Sequence, residues 1–363
     1  MFDAIQFVQN ENIFFISKMK FDDLDTNSEI PFYDARTNEG YQRPPVLSHV
    51  RNIAKFFIQE QFPLLPSAII AAINKDEYVF NNGHLELKNK IRIVDGQHRI
   101  AGIRELKERS SERFNSIKYN YEFPVIIMVV DGKDSMEEID AFINLNNKGK
   151  KVKTDLAEEL KVKKHEMMIA NEEDVSLSDE LYKNISIKIV KKLNNKGFWE
   201  NMIIQADENG YRTSQPISIL AFFRAIKPAV KSYLEDYYPA SNKGSLNKDE
   251  LSEVESQLQT NIEEVWNNVL EKWKDCFSEG SYNPNYNICK GIGVTPIYKL
   301  YSEFSGKENG MEQFKEVLYK SPVSSDDWLV GGIFSGYASA KGFSMIEQYI
   351  KGELTAEDFK TKQ

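Results

Sequence analysis

An α+β fold is predicted for this chain from three observations. Short apolar runs bounded by turn residues fill the first third, and apolar residues at helical spacing fill the second half. One strand-to-helix junction interrupts both patterns with the run Asp95-Gly96-Gln97-His98-Arg99.

The elements follow in order. Ile13 to Phe21 is β-rich, carrying Phe14, Phe15 and Ile16, and a polar loop from Asp22 to Glu39 leads to Tyr41-Gln42-Arg43-Pro44-Pro45. Val46, Val50, Ile53, Ala54, Phe57 and Ile58 recur at helical spacing, and Pro63 and Pro66 end that helix. Ser67 to Ile73 reads as a buried strand. Tyr78 to Phe80 and Leu85 to Leu87 flank Asn81-Asn82-Gly83, whose tolerance of positive φ suits a tight hairpin turn. Arg92 to Val94 is a third short strand, running straight into the polar junction and then a helix marked by Ile100, Ile103 and Leu106. Pro124 to Val130 is another buried strand. Ser135 to Asn144 is a helix with Glu137 and Glu138 at its positive end.

Beyond about residue 150 the β signal fades. Leu156, Leu160, Met167 and Met168 fit one helix, and Leu181, Ile185, Ile189 and Leu193 fit another. Pro216 starts a further helix through Ile219, Leu220 and Phe223, as proline suits a first turn. The clearest helix runs from Leu251 through Val254, Leu258, Ile262, Val265 and Val269 to Trp273. Ser241 to Asn247 reads as a flexible connector. An α/β domain over 1–165 and a mainly helical domain over 166–363 are therefore expected.

Composition bounds the function. At about 150 residues per domain, 363 residues imply two or three units. A hydrophobic fraction of 41%, with 22 Phe, 17 Tyr and 4 Trp, excludes global disorder. The 46 basic and 55 acidic residues give a net charge of -9, which excludes coating of nucleic acid by bulk charge but leaves room for a local basic face. Cys276 and Cys289 are too few for a disulfide framework or a thiolate metal site, as expected of a chain in the reducing cytoplasm. No basic segment followed by an apolar stretch opens the chain, and its longest apolar run is too short to span a bilayer.

Chemistry concentrates at the junction. A strand, one glycine and a helix start aim backbone N–H groups and the positive end of a helix dipole at one point, which attracts phosphate or carboxylate. Gln97 and His98 would add hydrogen-bond donors, and Arg99 a permanent cation suited to phosphate. Asp95 could cap the helix, orient Arg99 or hold a divalent ion such as Mg²⁺. Gln42-Arg43 would bring a second cation ahead of its helix. If the site is an enzyme's, Asp95 and His98 are the acid/base candidates.

The five residues Asp95 to Arg99 spell the motif that names the DGQHR-domain proteins, which include DndB, and the chain resembles that family. Gln42-Arg43, the strand after Pro66, the strand before Asp95 and Phe142-Ile143-Asn144 resemble the family's layout, well over residues 30 to 165 and loosely beyond. The resemblance implies a ParB/sulfiredoxin-like N-terminal domain in which Gly96-Gln97-His98-Arg99 faces nucleotide phosphates. It also implies a DNA-binding, transcription-regulating or accessory protein of a bacterial DNA-modification and defence system, linked to phosphorothioation. The alternative is an enzyme hydrolysing ATP or another nucleoside triphosphate with Mg²⁺. Sulfiredoxin-like thiol chemistry is not expected, because Gln97 stands where that chemistry needs cysteine. Partners implied are DNA, a nucleotide and other DNA-modification proteins, with oligomerisation left open and no membrane.

Lysines supply the candidate DNA contacts. Lys148, Lys150, Lys151 and Lys153 follow a helix in a polar loop, and Lys161, Lys163 and Lys164 extend the tract. Lys183, Lys188, Lys191, Lys192 and Lys196 lie on a predicted helix; a solvated surface is the more frequent outcome for a lysine run. His49 and His84 have no ligand-like neighbours, and His165-Glu166 lacks the second histidine of a zinc helix. Gly291-Ile292-Gly293 reads as a helix-start loop, and Gly331 to Gly336 as a loop without the Gly-Lys-Ser/Thr ending of a phosphate loop.

Overall fold

Two units form, Met1–Ala157 and Glu158–Gln363, each around its own apolar core. The computed structural model describes residues 1–147, 154–170, 172, 174–206, 214–237, 244–279 and 281–360. The mixture is α+β, as the patterning predicts.

In the first unit, strands β1 (Phe2–Gln9), β2 (Asn12–Lys20), β3 (Ser28–Glu29), β4 (Ile69–Asn74), β5 (Tyr78–Asn81), β6 (His84–Leu87), β7 (Ile91–Asp95) and β8 (Glu122–Val130) form one sheet. Their order is β3-β7-β4-β8-β2-β1-β6-β5. The continuous apolar runs of β4, β7 and β8 place them centrally, β4 lying antiparallel to β7 and parallel to β8. The predicted hairpin forms between β5 and β6, with positive φ at both Asn82 and Gly83. Sequence periodicity misses β1, because Ala4 is its one buried residue while Ile5 and Val8 face outward.

Helices α1 (Phe21–Asn27), α2 (Leu47–Gln59), α3 (Gln97–Arg109), α4 (Ser111–Ile117) and α5 (Met136–Asn147) complete the unit. Ala54 and Phe57 of α2, with Ile100, Ile103 and Leu106 of α3, pack with Ala71, Ile73, Ile93 and Ile127 of the sheet. Helices α2 and α3 approach closely at Gly102, where an added Cβ would lie 2.5 Å from Ile53 Cγ2.

The second unit is mainly helical: α6 (Thr154–Ile169), α7 (Asp179–Leu193), α8 (Ile219–Ser232), α9 (Lys248–Lys272), α10 (Gly291–Ser302), α11 (Gly310–Lys320), α12 (Ala340–Ile350) and α13 (Glu357–Lys360). Short ladders join β9 (Asp174–Ser176) to β12 (Ser245–Asn247), β10 (Ile203–Ile204) to β11 (Ile217–Ser218), and β13 (Phe277–Ser278) to β14 (Ser281–Tyr282).

Three local expectations are corrected here. Residues Ser245–Asn247 of the expected connector form β12, and Asn247 caps α9 through a reciprocal capping box with Glu250; positions 241–243 lie outside the described residues. Pro216 does not open α8: β11 intervenes, and Ser218 is the cap, accepting from Ala221 N at 3.2 Å. Gly291 and Gly293 lie inside the first turn of α10 rather than in a loop before it; a Cβ on Gly293 would meet Ile288 O at 2.1 Å. Among the described residues no helix is long and apolar enough to cross a membrane.

Candidate functional site

The Asp95–Arg99 run forms the expected junction, with Asp95 ending β7 and Gln97 opening α3. Gly96 makes the turn possible. It has φ 115° and ψ 3°, a conformation that disfavours any side chain, and its carbonyl accepts from Arg99 N (2.9 Å) and Ile100 N (3.1 Å). A Cβ there would also lie 3.1 Å from both Arg99 Nη2 and Ile69 Cγ1.

Of the three roles open to Asp95, the structure displays one. No side chain caps α3, whereas Asp95 Oδ2 accepts from Arg99 Nη2 at 3.1 Å. Among the described residues no group of three or more His, Cys, Asp or Glu side chains is arranged to hold a metal ion. The Arg99 guanidinium also donates to Ser67 O, to Ser67 Oγ at 2.8 Å and to Ala68 O at 2.9 Å, so it braces the helix start against the segment entering β4. Burial pulls the pKa of Arg99 down, with Asp95 opposing the shift.

A strap formed by residues 42–46 runs alongside the turn. Gln42 Nε2 donates to Ile93 O at one end, and Val46 N donates to His98 Nε2 (3.1 Å) at the other. The turn and Gln42-Arg43 are therefore brought together, as their spacing in the family layout implies. His49 joins them, its ring 5.4 Å from that of His98. Gln42 is completely buried, and its Oε1, like Gln97 Oε1, is enclosed without a hydrogen-bond partner among the described residues. The side-chain nitrogens Nε and Nη2 of Arg43 are also enclosed.

Beneath the strap lies a polar network that sequence reasoning missed. Arg92 of β7 donates to Glu138 of α5 through Nε (3.0 and 3.1 Å) and Nη2 (2.9 Å), and to Asn74 Oδ1 at 2.9 Å. Tyr41 OH donates to Glu138 Oε1 at 2.7 Å. Arg92, Glu138 and Tyr41 are all buried. Burial raises the Glu138 carboxyl above its ordinary range against the pull of Arg92 and Tyr41. The Tyr41 phenol is likewise raised well above its usual value, by burial first and by Glu138 second. The available signal was an arginine inside the otherwise apolar run Ile91-Arg92-Ile93-Val94. A buried strand cannot leave that charge unpaired, so a carboxylate partner was implied.

The lysine candidates are placed differently. Lys148, Lys150, Lys151 and Lys153 lie outside the described residues. On α7, Lys188 meets Glu166 (3.2 Å) and Glu255 (3.0 Å), Lys191 meets Glu159 (2.7 Å), and Lys183 pairs with Glu158. Lys192 is exposed. Much of the positive charge on this helix is thus matched by carboxylates of α6 and α9.

The sequence matches the DndB family, described as DNA-sulfur modification-associated, over residues 2–275. The chain belongs to the DndB family. The matched span includes the whole turn, the strap and the Arg92–Glu138 network. Association with a DNA-sulfur modification system is therefore the functional setting of this DndB-family chain. No curated protein and no solved structure matches it.

Proposed function

We propose that this DndB-family chain is a DNA-binding regulator or accessory protein of its modification system, and that the Asp95–Arg99 turn takes a phosphate group of DNA or of a nucleotide, as the ParB-like resemblance implies. The observation that carries this reading is the framed helix start. A glycine-led turn is braced by Arg99 on one side and overlaid by an arginine-bearing strap on the other, above a buried ionic network. Buried ion pairs are poor sources of net stability, so a network of this kind is better accounted for by the geometry it imposes.

Roles at the site divide accordingly. The first-turn N–H groups of Gln97 and His98 and the Arg43 guanidinium meet the anion. Arg99 and Asp95 hold the turn in shape. Hydrolysis ranks second in this geometry, because Asp95 is engaged with Arg99 and His98 accepts from Val46. Lys192 and the tract containing Lys148, Lys150, Lys151 and Lys153 are the candidate backbone contacts.

Fluorescence anisotropy of labelled duplex DNA tests the reading. Binding should weaken steeply between about 50 and 200 mM salt, and Arg43→Ala should reduce both affinity and salt slope. Affinity that stays flat with salt would rule out backbone contact. A nucleotide-release assay comparing wild type with Asp95→Ala separates regulator from enzyme: turnover above background, lost in the variant, would favour hydrolysis.

A further inference from the structure

Strand β1 outruns its neighbour on one side. Residues 4–9 pair with residues 12–17 of β2, whereas on the other side β6 reaches only Phe2 and Asp3 before the β5–β6 hairpin turns back at Asn82 and Gly83. Ala4 N donates to Gly83 O at 2.9 Å, and beyond that bond no strand meets β1 on this side among the described residues. Successive residues of an antiparallel strand direct their N–H and C=O to alternate sides, so Gln6 and Val8, in step with Ala4, present theirs to the open side. Their surroundings are open as well: Ile5 is 70% exposed and Val8 58%. Residues 5–9 contain neither a charge nor a proline, the groups that ordinarily protect an edge from pairing. The two outermost strands of the sheet are protected, β3 by having only two residues and β5 by the charged run Lys75-Asp76-Glu77 that leads into it.

Unpaired backbone groups in a row call for another strand, and the length of the row limits which one. A strand running antiparallel to β1 and continuing past Ile5 would meet the β5–β6 hairpin at Gly83, so the edge accepts a short strand that ends in a turn. The overhang of β1 has that form: Gln9 is followed by Asn10 and Glu11, both at positive φ (45° and 69°). We propose that residues 5–9 are a self-pairing edge, through which a second copy of this chain joins its sheet to the first about a two-fold axis at Phe7. Gln6 of one copy then exchanges both backbone bonds with Val8 of the second copy, and the symmetry repeats the exchange. Each overhang ends where the other copy's hairpin begins, so the two notches fill each other. Ile5 and Phe7 lie opposite Ile16 and Phe14 of β2, and the rings of Phe7 and Phe14 stack at 5.2 Å. Pairing at Phe7 continues this apolar face across the seam, and residues 5–9 bring no like charges together there.

Sedimentation velocity of the full chain tests the pairing: between about 1 and 100 μM the average mass should climb towards twice that of one chain. Val8→Lys should weaken the dimer at least about tenfold, because an edge lysine is solvated in the monomer and crowded in the pair. Circular dichroism verifies the fold of the variant. Phe7→Cys supplies a second readout, since the two-fold register sets position 7 opposite itself, about 4.5 Å apart between Cα atoms, within reach of a disulfide. Cys276 and Cys289 are free and fully buried, so mild oxidation should crosslink two copies through position 7 and leave wild type uncrosslinked on a non-reducing gel. A chain that stays monomeric at about 100 μM overturns self-pairing and leaves the edge to a strand of a different protein. A dimer that folded Val8→Lys leaves intact, or a dimeric Phe7→Cys that forms no crosslink, puts the interface elsewhere and overturns the proposal; should Val8→Lys not fold, the crosslink decides. Association that grows beyond a dimer overturns the closed two-fold arrangement.

Discussion

Glu347 of α12 is buried between Lys299 (2.7 Å) and Lys351 (3.0 Å), and its pKa shows which effect prevails. Burial would raise it, but the two lysines more than offset that and hold it below its ordinary value of 4.5. A carboxylate with a depressed folded-state pKa contributes stability that is present above the unfolded-state value and is lost as pH falls through the folded-state one. Glu347→Gln should therefore cost about 1–2 kcal/mol in urea unfolding at neutral pH, discounted for the partial exposure of the lysines. The gap between variant and wild type should narrow as pH is lowered progressively below the ordinary value of 4.5; an unchanged gap would refute the linkage. At the candidate site, the polar run Asp95 to Arg99 at a strand-to-helix junction was legible from residue types and order, whereas the ties of the 42–46 strap to Ile93 and His98 are set by the fold. Tyr41 and Glu138 were not legible, since a tyrosine in a loop and a glutamate near a helix start look solvent-facing until the fold buries them.

Elements whose period matches their burial were equally legible. Helices α2, α3 and α9 bury a face marked by their apolar spacing, and α7 buries Leu181, Ile185, Ile189 and Leu193 together with Asn184 and Ser186. Strand β1 escaped because its apolar residues lie on the open side of the sheet, where no alternation is required. How α2 meets α3 is a property of neither helix alone. Gly102 admits Ile53, so Gly102→Val should force the helices apart and cost about 1–3 kcal/mol in thermal denaturation. Because the strap leads directly into α2, the same variant should also weaken phosphate binding. Full stability together with full binding would show that this contact does not govern the strap.

At the scale of the whole molecule, the second unit contains both cysteines, free and fully buried. Burial pushes the Cys276 thiol up to about 12, and burial raises the Cys289 thiol as well. Neither should react with a disulfide reagent in the native protein, and both should react once urea unfolds it; rapid native labelling of either would contradict their burial. By itself the sequence determined the α+β class, most of the elements and the turn, because periodicity, proline and glycine positions and adjacent polar residues act over a few residues of chain. Only the tertiary structure decided which charges face each other. Arg92 finds Glu138, Arg99 finds the carbonyls ahead of β4, and the α7 lysines find glutamates, since these partners are distant in sequence and are selected by the desolvation that packing imposes.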